Sequence, residues 1–336
     1  MAKNNDVKII RESLSVSKFS ILIILIGIAL LFEALGWFIV GRSFLLNPQR
    51  LFLMILQVSV IGIIAIGVTQ IIIAGGIDLS SGSVVALVAV VAASFAQAEN
   101  ATRPVFENML GIPVCFPVLI GLTVGALCGL INGILIAKTK IPPFIATLGM
   151  MVSARGMAQL YTEGKPVSML TDSFNFIGNG PGGIMPVIIY LCMAAVVYYL
   201  LTQTRYGKYV YAIGGNEIAA RVSGVNVERY KIAIYTFAGF LSGLAGIVLA
   251  ARINSGQSGM GVSFELDAIA AAVIGGASLS GGLGTIPGTI VGSLVLGIVQ
   301  SGFTFLRVNA YIQEIIKGMI IVGAVVMDVM RNKQKT

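Results

Sequence analysis

The sequence predicts an all-α polytopic membrane protein of about ten transmembrane helices, some of them broken, with an internal repeat. Three observations carry that prediction. Of 336 residues, 57% are hydrophobic and only 11% charged, where a soluble domain carries about 25% charged residues. The charges lie between long apolar runs instead of punctuating them. Two Gly/Ser-rich segments, one near position 75 and one near 275, resemble each other.

A bilayer span needs ~20 mainly apolar residues, fewer where protein covers them. Ten stretches qualify: 18–40, 50–74, 80–97, 114–137, 142–160, 184–201, 231–252, 264–278, 286–306 and 310–330. Gly and Ser interrupt the ends of the third, eighth and ninth. Ten spans place both termini on one side. Fourteen Lys and Arg lie on that side and six on the other, with Arg155 and Lys317 inside spans. Cytoplasmic loops carry the excess, so both termini are expected in the cytoplasm. The domain plan is a tail over 1–17, one transmembrane domain over 18–330 that includes a cytoplasmic segment at 202–231, and a tail over 331–336. The first 18 residues, MAKNNDVKIIRESLSVSK, contain no small-residue cleavage site after a short apolar core. They read as a cytoplasmic tail, not a signal peptide.

The repeat pairs Gly75, Gly76, Leu79, Ser80 and Gly82 with Gly275, Gly276, Leu279, Ser280 and Gly282. GLINGI at 129–134 faintly matches GIVQSG at 297–302. Repeats of this kind in transporters often surround the substrate path. Both Gly-rich segments break a helix, and the freed backbone groups need protein or cavity water as partners.

The cytoplasmic stretch 204–231 carries a short helix of its own. Asn216 can cap EIAARVS, and Gly224 can end it in the left-handed conformation that Gly tolerates. Two turns of helix are unstable alone in water, so this one needs a surface to dock on.

Several functions are excluded. GILIAKT at 133–139 lacks the second glycine of a phosphate-cradling loop and ends a span instead of following a strand. With no histidine, no Ser/His/Asp or Cys/His pair can form. Cys115, Cys128 and Cys192 stand far apart and read as small core residues. The net charge of +8 is spread as orientation in a membrane requires, so nucleic acid is not expected as a partner.

Fourteen polar residues fall within spans: Gln57, Thr69, Gln70, Asp78, Asn132, Thr147, Arg155, Gln159, Glu265, Asp267, Gln300, Gln313, Glu314 and Lys317. A charge at mid-bilayer costs ~3 kcal/mol, so such residues face protein or water and often mark a path. Glu314 and Lys317, three apart, can pair with each other. Asp78 is placed to cap the helix beginning at Leu79, a role preferred to substrate binding. Glu265 and Asp267 read as interfacial and solvated. A path for a neutral polar solute needs neutral donors and acceptors and aromatic faces. Asp78, Asn132, Phe144, Thr147 and Gln300 form the candidate set, with Phe144 and Thr147 on one face of a helix opened by Pro142 and Pro143. Ordinary span packing is the competing account of the last pair.

Several stretches carry a resemblance: GGIDLSSGS (75–83), GLINGILIA (129–137), PPFIATLGM (142–150), TRYGKYVYAIGGN (204–216), AARVSGVNV (219–227), ELDAIAAAVIGG (265–276) and IIKGMIIV (315–322). Through them the whole chain resembles the permease subunit of ATP-binding-cassette (ABC) importers of the ribose/galactose/xylose type. Stretches 44–57, 150–170 and 311–326 look most like inositol importer permeases, and inositol is the favoured substrate. The resemblance implies a homodimer in the bacterial inner membrane, a cytoplasmic ABC ATPase subunit and a periplasmic sugar-binding protein. It implies no cofactor in this chain, since ATP and Mg are used by the ATPase. Gly215, Asn216, Glu217, Ala219, Ala220 and Gly224 match the segment that couples to the ATPase, although Ile218 separates the acidic residue from the two alanines. An ion-coupled secondary transporter and a structural scaffold are the competing classes.

Overall fold

The computed structural model describes residues 21–333, so the N-terminal tail lies outside the described residues. Thirteen helices follow in order among them. They are α1 Ile21–Val40, α2 Pro48–Ile73, α3 Ser81–Phe95, α4 Cys115–Thr139, α5 Pro143–Thr162, α6 Asp172–Gly178, α7 Met185–Gln203, α8 Arg205–Gly215, α9 Glu217–Val222, α10 Val227–Ile253, α11 Phe264–Ile274, α12 Ile286–Phe305 and α13 Ala310–Lys333. Every one of the ten expected spans contains a helix. Seven of these (α1, α2, α4, α7, α10, α12 and α13) are long and apolar enough to cross a membrane unaided, which makes this a multi-pass membrane protein. The others depart from the rule for physical reasons. α3 has 15 residues and α11 has 11. Both are buried along almost their whole length, so neighbouring protein substitutes for the missing apolar turns. α5 is long enough but carries Arg155 and Gln159. α13 continues to Lys333, three residues into the stretch read as a tail.

Two helices form the centre. α2 is buried on every side from Val58 to Ile73, as expected of a helix that is apolar all round. α10 lies against α4 through glycines spaced by four, Gly121, Gly125, Gly129 and Gly133. A Cβ on Gly125 would come within 2.6 Å of Gly239 O, and one on Gly129 would overlap Tyr235 O. Small residues at this spacing let helices approach closely where lipid removes the hydrophobic drive to associate. Cys128 is buried in this region, whereas Cys115 and Cys192 lie on the outside of the bundle and are not core residues.

The ends of the helices gather in two groups. At one end, a two-stranded antiparallel ladder joins β1 (Val167–Ser168) to β2 (Ser255–Gly256), and Gln97 bridges to Leu170. At the other end the two Gly-rich breaks meet the end of α8. The alternation of ten spans predicts this grouping, with loops three–four, five–six and seven–eight on one side.

Candidate functional site

The segment after α7 folds back on its own chain. Thr204 opens α8, and Asn216, in extended conformation, ends α8 and caps α9. Its side-chain oxygen accepts from Ala219 N at 2.9 Å. Gly224 takes φ +86°, and Val225 N closes the helix end on Ala220 O at 3.1 Å. Both expected caps are therefore present. The expected docking surface is in part intramolecular, because Ala220 is buried with Ile213 and Val227. Glu217 accepts from Lys231 Nζ at 2.7 Å and lies 3.6 Å from Arg221, which also pairs with Glu228. Burial alone would raise the Glu217 pKa. The Lys231 hydrogen bond and charge, with the Arg221 charge, outweigh it and hold the group below the usual carboxylate value. The outer face of α9 carries two large apolar side chains one turn apart, Ile218 (77% exposed) and Val222 (85% exposed). Sequence reasoning passed over this pair; its signal was an i, i+4 apolar doublet inside a charged loop.

A second feature joins this segment to the membrane core. Gly282 N donates to Ile73 O at 2.8 Å, linking the second break to the end of α2. A Cβ on Gly214 would overlap Ile73 O and come within 2.6 Å of Gly282 N. One on Gly281 would reach 2.6 Å from Gly214 O and 3.1 Å from Gly75 Cα. The last turn of α8 is thus seated between both breaks, one residue before the cap of α9. Tyr206 Oη donates to Gln70 Oε1 (2.9 Å) and Tyr211 Oη to Gly284 O (2.7 Å), which fixes the rest of α8 to the same two regions.

The five candidate path residues do not converge. Asp78 is buried: Oδ1 accepts from Ser80 N (2.8 Å) and Ser80 Oγ (2.6 Å), and Oδ2 from Ser81 Oγ (3.1 Å). It forms a turn just ahead of α3 and does not cap it: the helix begins at Ser81, not at Leu79, with Ser80 in the capping position and no side-chain capping bond. Asn132 donates to Ser80 Oγ at 3.0 Å and so joins the same cluster, while its Oδ1 is buried without a hydrogen-bond partner among the described residues. Thr147 is fully buried and donates to Pro143 O at 2.9 Å, while Phe144 is half exposed on the outside of α5. Spacing by three placed them together, but their surroundings differ. Gln300 alone faces a cavity, of about 200 Å³, between α2, α11, α12 and α13.

Two further expectations are corrected there. Lys317 pairs with Asp267 of α11 at 2.9 Å, not with Glu314 on its own helix. Asp267 is therefore buried and paired, not solvated at an interface. Glu265 lies against Gly82, and its Oε2 has no hydrogen-bond partner among the described residues.

A helical bundle crossing the membrane many times, with broken helices at its centre and a short docked helix at one end, has the architecture of a transport permease. The chain matches the family described as "Branched-chain amino acid transport system / permease component" over residues 50–325, and it belongs to that family. It is 43% identical to the ribose import permease protein of Haemophilus influenzae, over 81% of this chain and 82% of the relative. The ribose import permease protein of Escherichia coli K12 is 42% identical, over 83% and 85%. The galactose/methyl galactoside import permease protein of Haemophilus influenzae is 37% identical over 100% and 99%. No solved structure matches it.

Proposed function

We propose that the chain is the membrane subunit of an ATP-driven importer of the ABC type for a monosaccharide-sized, neutral polyhydroxylated compound. It works as a homodimer in a bacterial cytoplasmic membrane, with both termini and the 204–231 segment in the cytoplasm. A periplasmic binding protein delivers the cargo, and a separate ATPase subunit supplies the drive. The observation that carries this reading is the exposed pair Ile218 and Val222 on a helix locked to the chain by Ala220. A helix that buries one alanine and offers two large apolar side chains to the aqueous side is built to enter a groove of a partner. The glycine seat at Gly214 gives that partner a mechanical route to both breaks. A secondary transporter has no use for such a docking helix.

Ribose and galactose are supported by the names that the relatives carry. Inositol, the narrower reading, rests on the resemblance of stretches 44–57, 150–170 and 311–326. The test is uptake of labelled ribose, galactose, xylose, myo-inositol and leucine by cells holding this chain, its ATPase and its binding protein. Uptake of leucine alone would overturn the polyhydroxylated class. Ile218→Asp with Val222→Asp is expected to abolish copurification of the ATPase while the chain remains in the membrane. Retention of the ATPase by that variant would refute the docking role.

A further inference from the structure

We infer that the cavity between α2, α11, α12 and α13 is where the chain holds its polyhydroxylated cargo on the way through. The inference rests on the transport reading above and adds the residues that touch the cargo. Six of the fourteen polar residues found within the expected spans line this one space: Gln57, Asp267, Gln300, Gln313, Glu314 and Lys317. They come from four helices whose other membrane-embedded side chains are mostly apolar. Asp267 and Lys317 also tie α13 to α11; the three amides and Glu314 are not part of that tie. A buried ion pair such as Asp267–Lys317 is a weak source of stability, because desolvation offsets most of the attraction.

The chemistry fits a neutral polyol. Three side-chain amides offer donors and acceptors, although Gln313 Nε2 already gives one N–H to Val308 O at 2.8 Å, and a sugar hydroxyl is itself both. Asp267 and Lys317 present a strong acceptor and a strong donor side by side without net charge. Glu314 adds one negative charge, which disfavours a phosphorylated or carboxylated compound. Phe303 and Leu296 supply an apolar wall for the C–H face of a ring. The volume of about 200 Å³ is many times the ~10–15 Å³ that one water needs, so the space admits a small polar molecule.

The position fits as well. Gln57 lies sixteen residues before Ile73 on α2, ~24 Å along the helix at 1.5 Å per residue. The cavity is therefore near the end of the bundle opposite the α9 segment, the side from which a delivered cargo enters. Asp78 and Asn132 do not line this cavity and meet each other through Ser80.

The test uses the full complex of this chain, its ATPase and its binding protein, with labelled ribose, galactose and myo-inositol as probes. Gln300→Ala and Gln313→Ala are each expected to lower uptake about tenfold, the effect of losing hydrogen bonds to a ligand. Membrane abundance and ATPase copurification should hold. In a second measurement, Gln300→Cys is labelled with a hydrophilic thiol reagent, above the background of Cys115 and Cys192 in the unsubstituted protein. The transported probe with its binding protein is expected to slow that labelling. If the unsubstituted complex takes up no probe, the transport reading fails and this inference with it. If uptake is normal and both alanine variants match it, the cavity is not the path, although the transport reading stands. Loss of uptake without protection of Gln300→Cys, or no labelling there at all, also overturns the inference, because a passage must admit a water-borne reagent.

Discussion

The two breaks of the repeat end their helices in the same way and stabilise the following turn differently. After α2, Gly75 N returns to Ile72 O and Gly76 N to Ile71 O. After α11, Gly276 N returns to Val273 O and Ala277 N to Ala272 O. The left-handed residues, Gly75 and Gly276, therefore correspond with a slip of one from the match that sequence identity suggests. The turns that follow use the unslipped register: Asp78 Oδ1 accepts from Ser80 N, and Ser278 Oγ accepts from Ser280 N. At the first break the carboxylate is local. At the second, α13 supplies it, because Asp328 Oδ2 accepts from Ser278 Oγ and Leu279 N, both at 3.1 Å.

That difference shows what holds α13. Apart from Ala324, none of its described side chains is fully buried, and most are exposed. Its fixed points are Lys317 on Asp267 and Asp328 on the second break, eleven residues apart on both strands of the pairing. On α13 that is ~16 Å of helix. The first break is an internal part of the core, whereas the second is a latch for a peripheral helix beside a polar cavity.

The largest effect is expected where both breaks share a neighbour. Gly214→Val puts a side chain into Ile73 O, and backbone cannot yield as a flexible side chain can. The cost should exceed the usual ~1–3 kcal/mol of overpacking. Thermal unfolding in detergent and uptake should both collapse. Gly215→Ala, whose Cβ meets nothing within 4 Å, is the control and should behave as the parent does. Equal behaviour of the two would dissolve the proposed junction.

The breaks themselves can be compared by removing each carboxylate. Asp78→Ala strands three buried donors and should cost about 3 kcal/mol. Asp328→Ala, at a part-buried site, should cost about 1 kcal/mol and chiefly loosen α13. Ser278→Asp alone sets two carboxylates against each other and should destabilise the protein. In an Asp328→Ser background the same change rebuilds the local arrangement of the first break, and the penalty should largely disappear. Additive losses in that double-mutant cycle would show that the two breaks do not work alike.

What the sequence makes legible here is local. Asn216 and Gly224 declare the ends of α9 because a cap needs only a few adjacent residues. The spans declare themselves through summed hydropathy. The pairing of the breaks is visible in shared Gly and Ser, but the slip between Gly75 and Gly276 is not, since either glycine of each pair could take positive φ. Lys317 had Glu314 three residues away and chose Asp267, fifty residues distant, because α13 turns Lys317 toward α11. The seat of Gly214 could not be read at all: a glycine in a helix says nothing of the backbone pressed against it. The same holds for Phe144 and Thr147, whose shared face is a fact of one helix while their surroundings depend on its neighbours.

Smaller effects belong to the aqueous segment. Gly224→Val forces a β-branched residue to φ +86°, at a cost of ~1–2 kcal/mol. Asn216→Ala removes the cap on Ala219 N, worth ~1 kcal/mol. Neither site lies in the bilayer, so membrane abundance should hold while uptake and ATPase copurification fall. If abundance falls as far as uptake, α9 serves the fold and not the partner.

The smallest effect concerns Glu217. Its folded pKa lies below the ordinary value of 4.5, so its contribution is complete above that pH and is lost as pH falls through the folded value. The side chain is 42% exposed, and solvent screens its pairs with Lys231 and Arg221. Hydrogen exchange of the α9 amides is the suitable probe, because it reports opening of this segment and not unfolding of the bundle. Protection should be level from pH 8 to about 5 and decline below that as the carboxylate takes up a proton. Glu217→Gln should start from lower protection and show no decline. Glu217→Lys should be worse than either, since it sets three cations together at the positive end of the helix. A decline that persists in Glu217→Gln would show that this carboxylate is not the source of the acid sensitivity, leaving the Lys231 contact without weight.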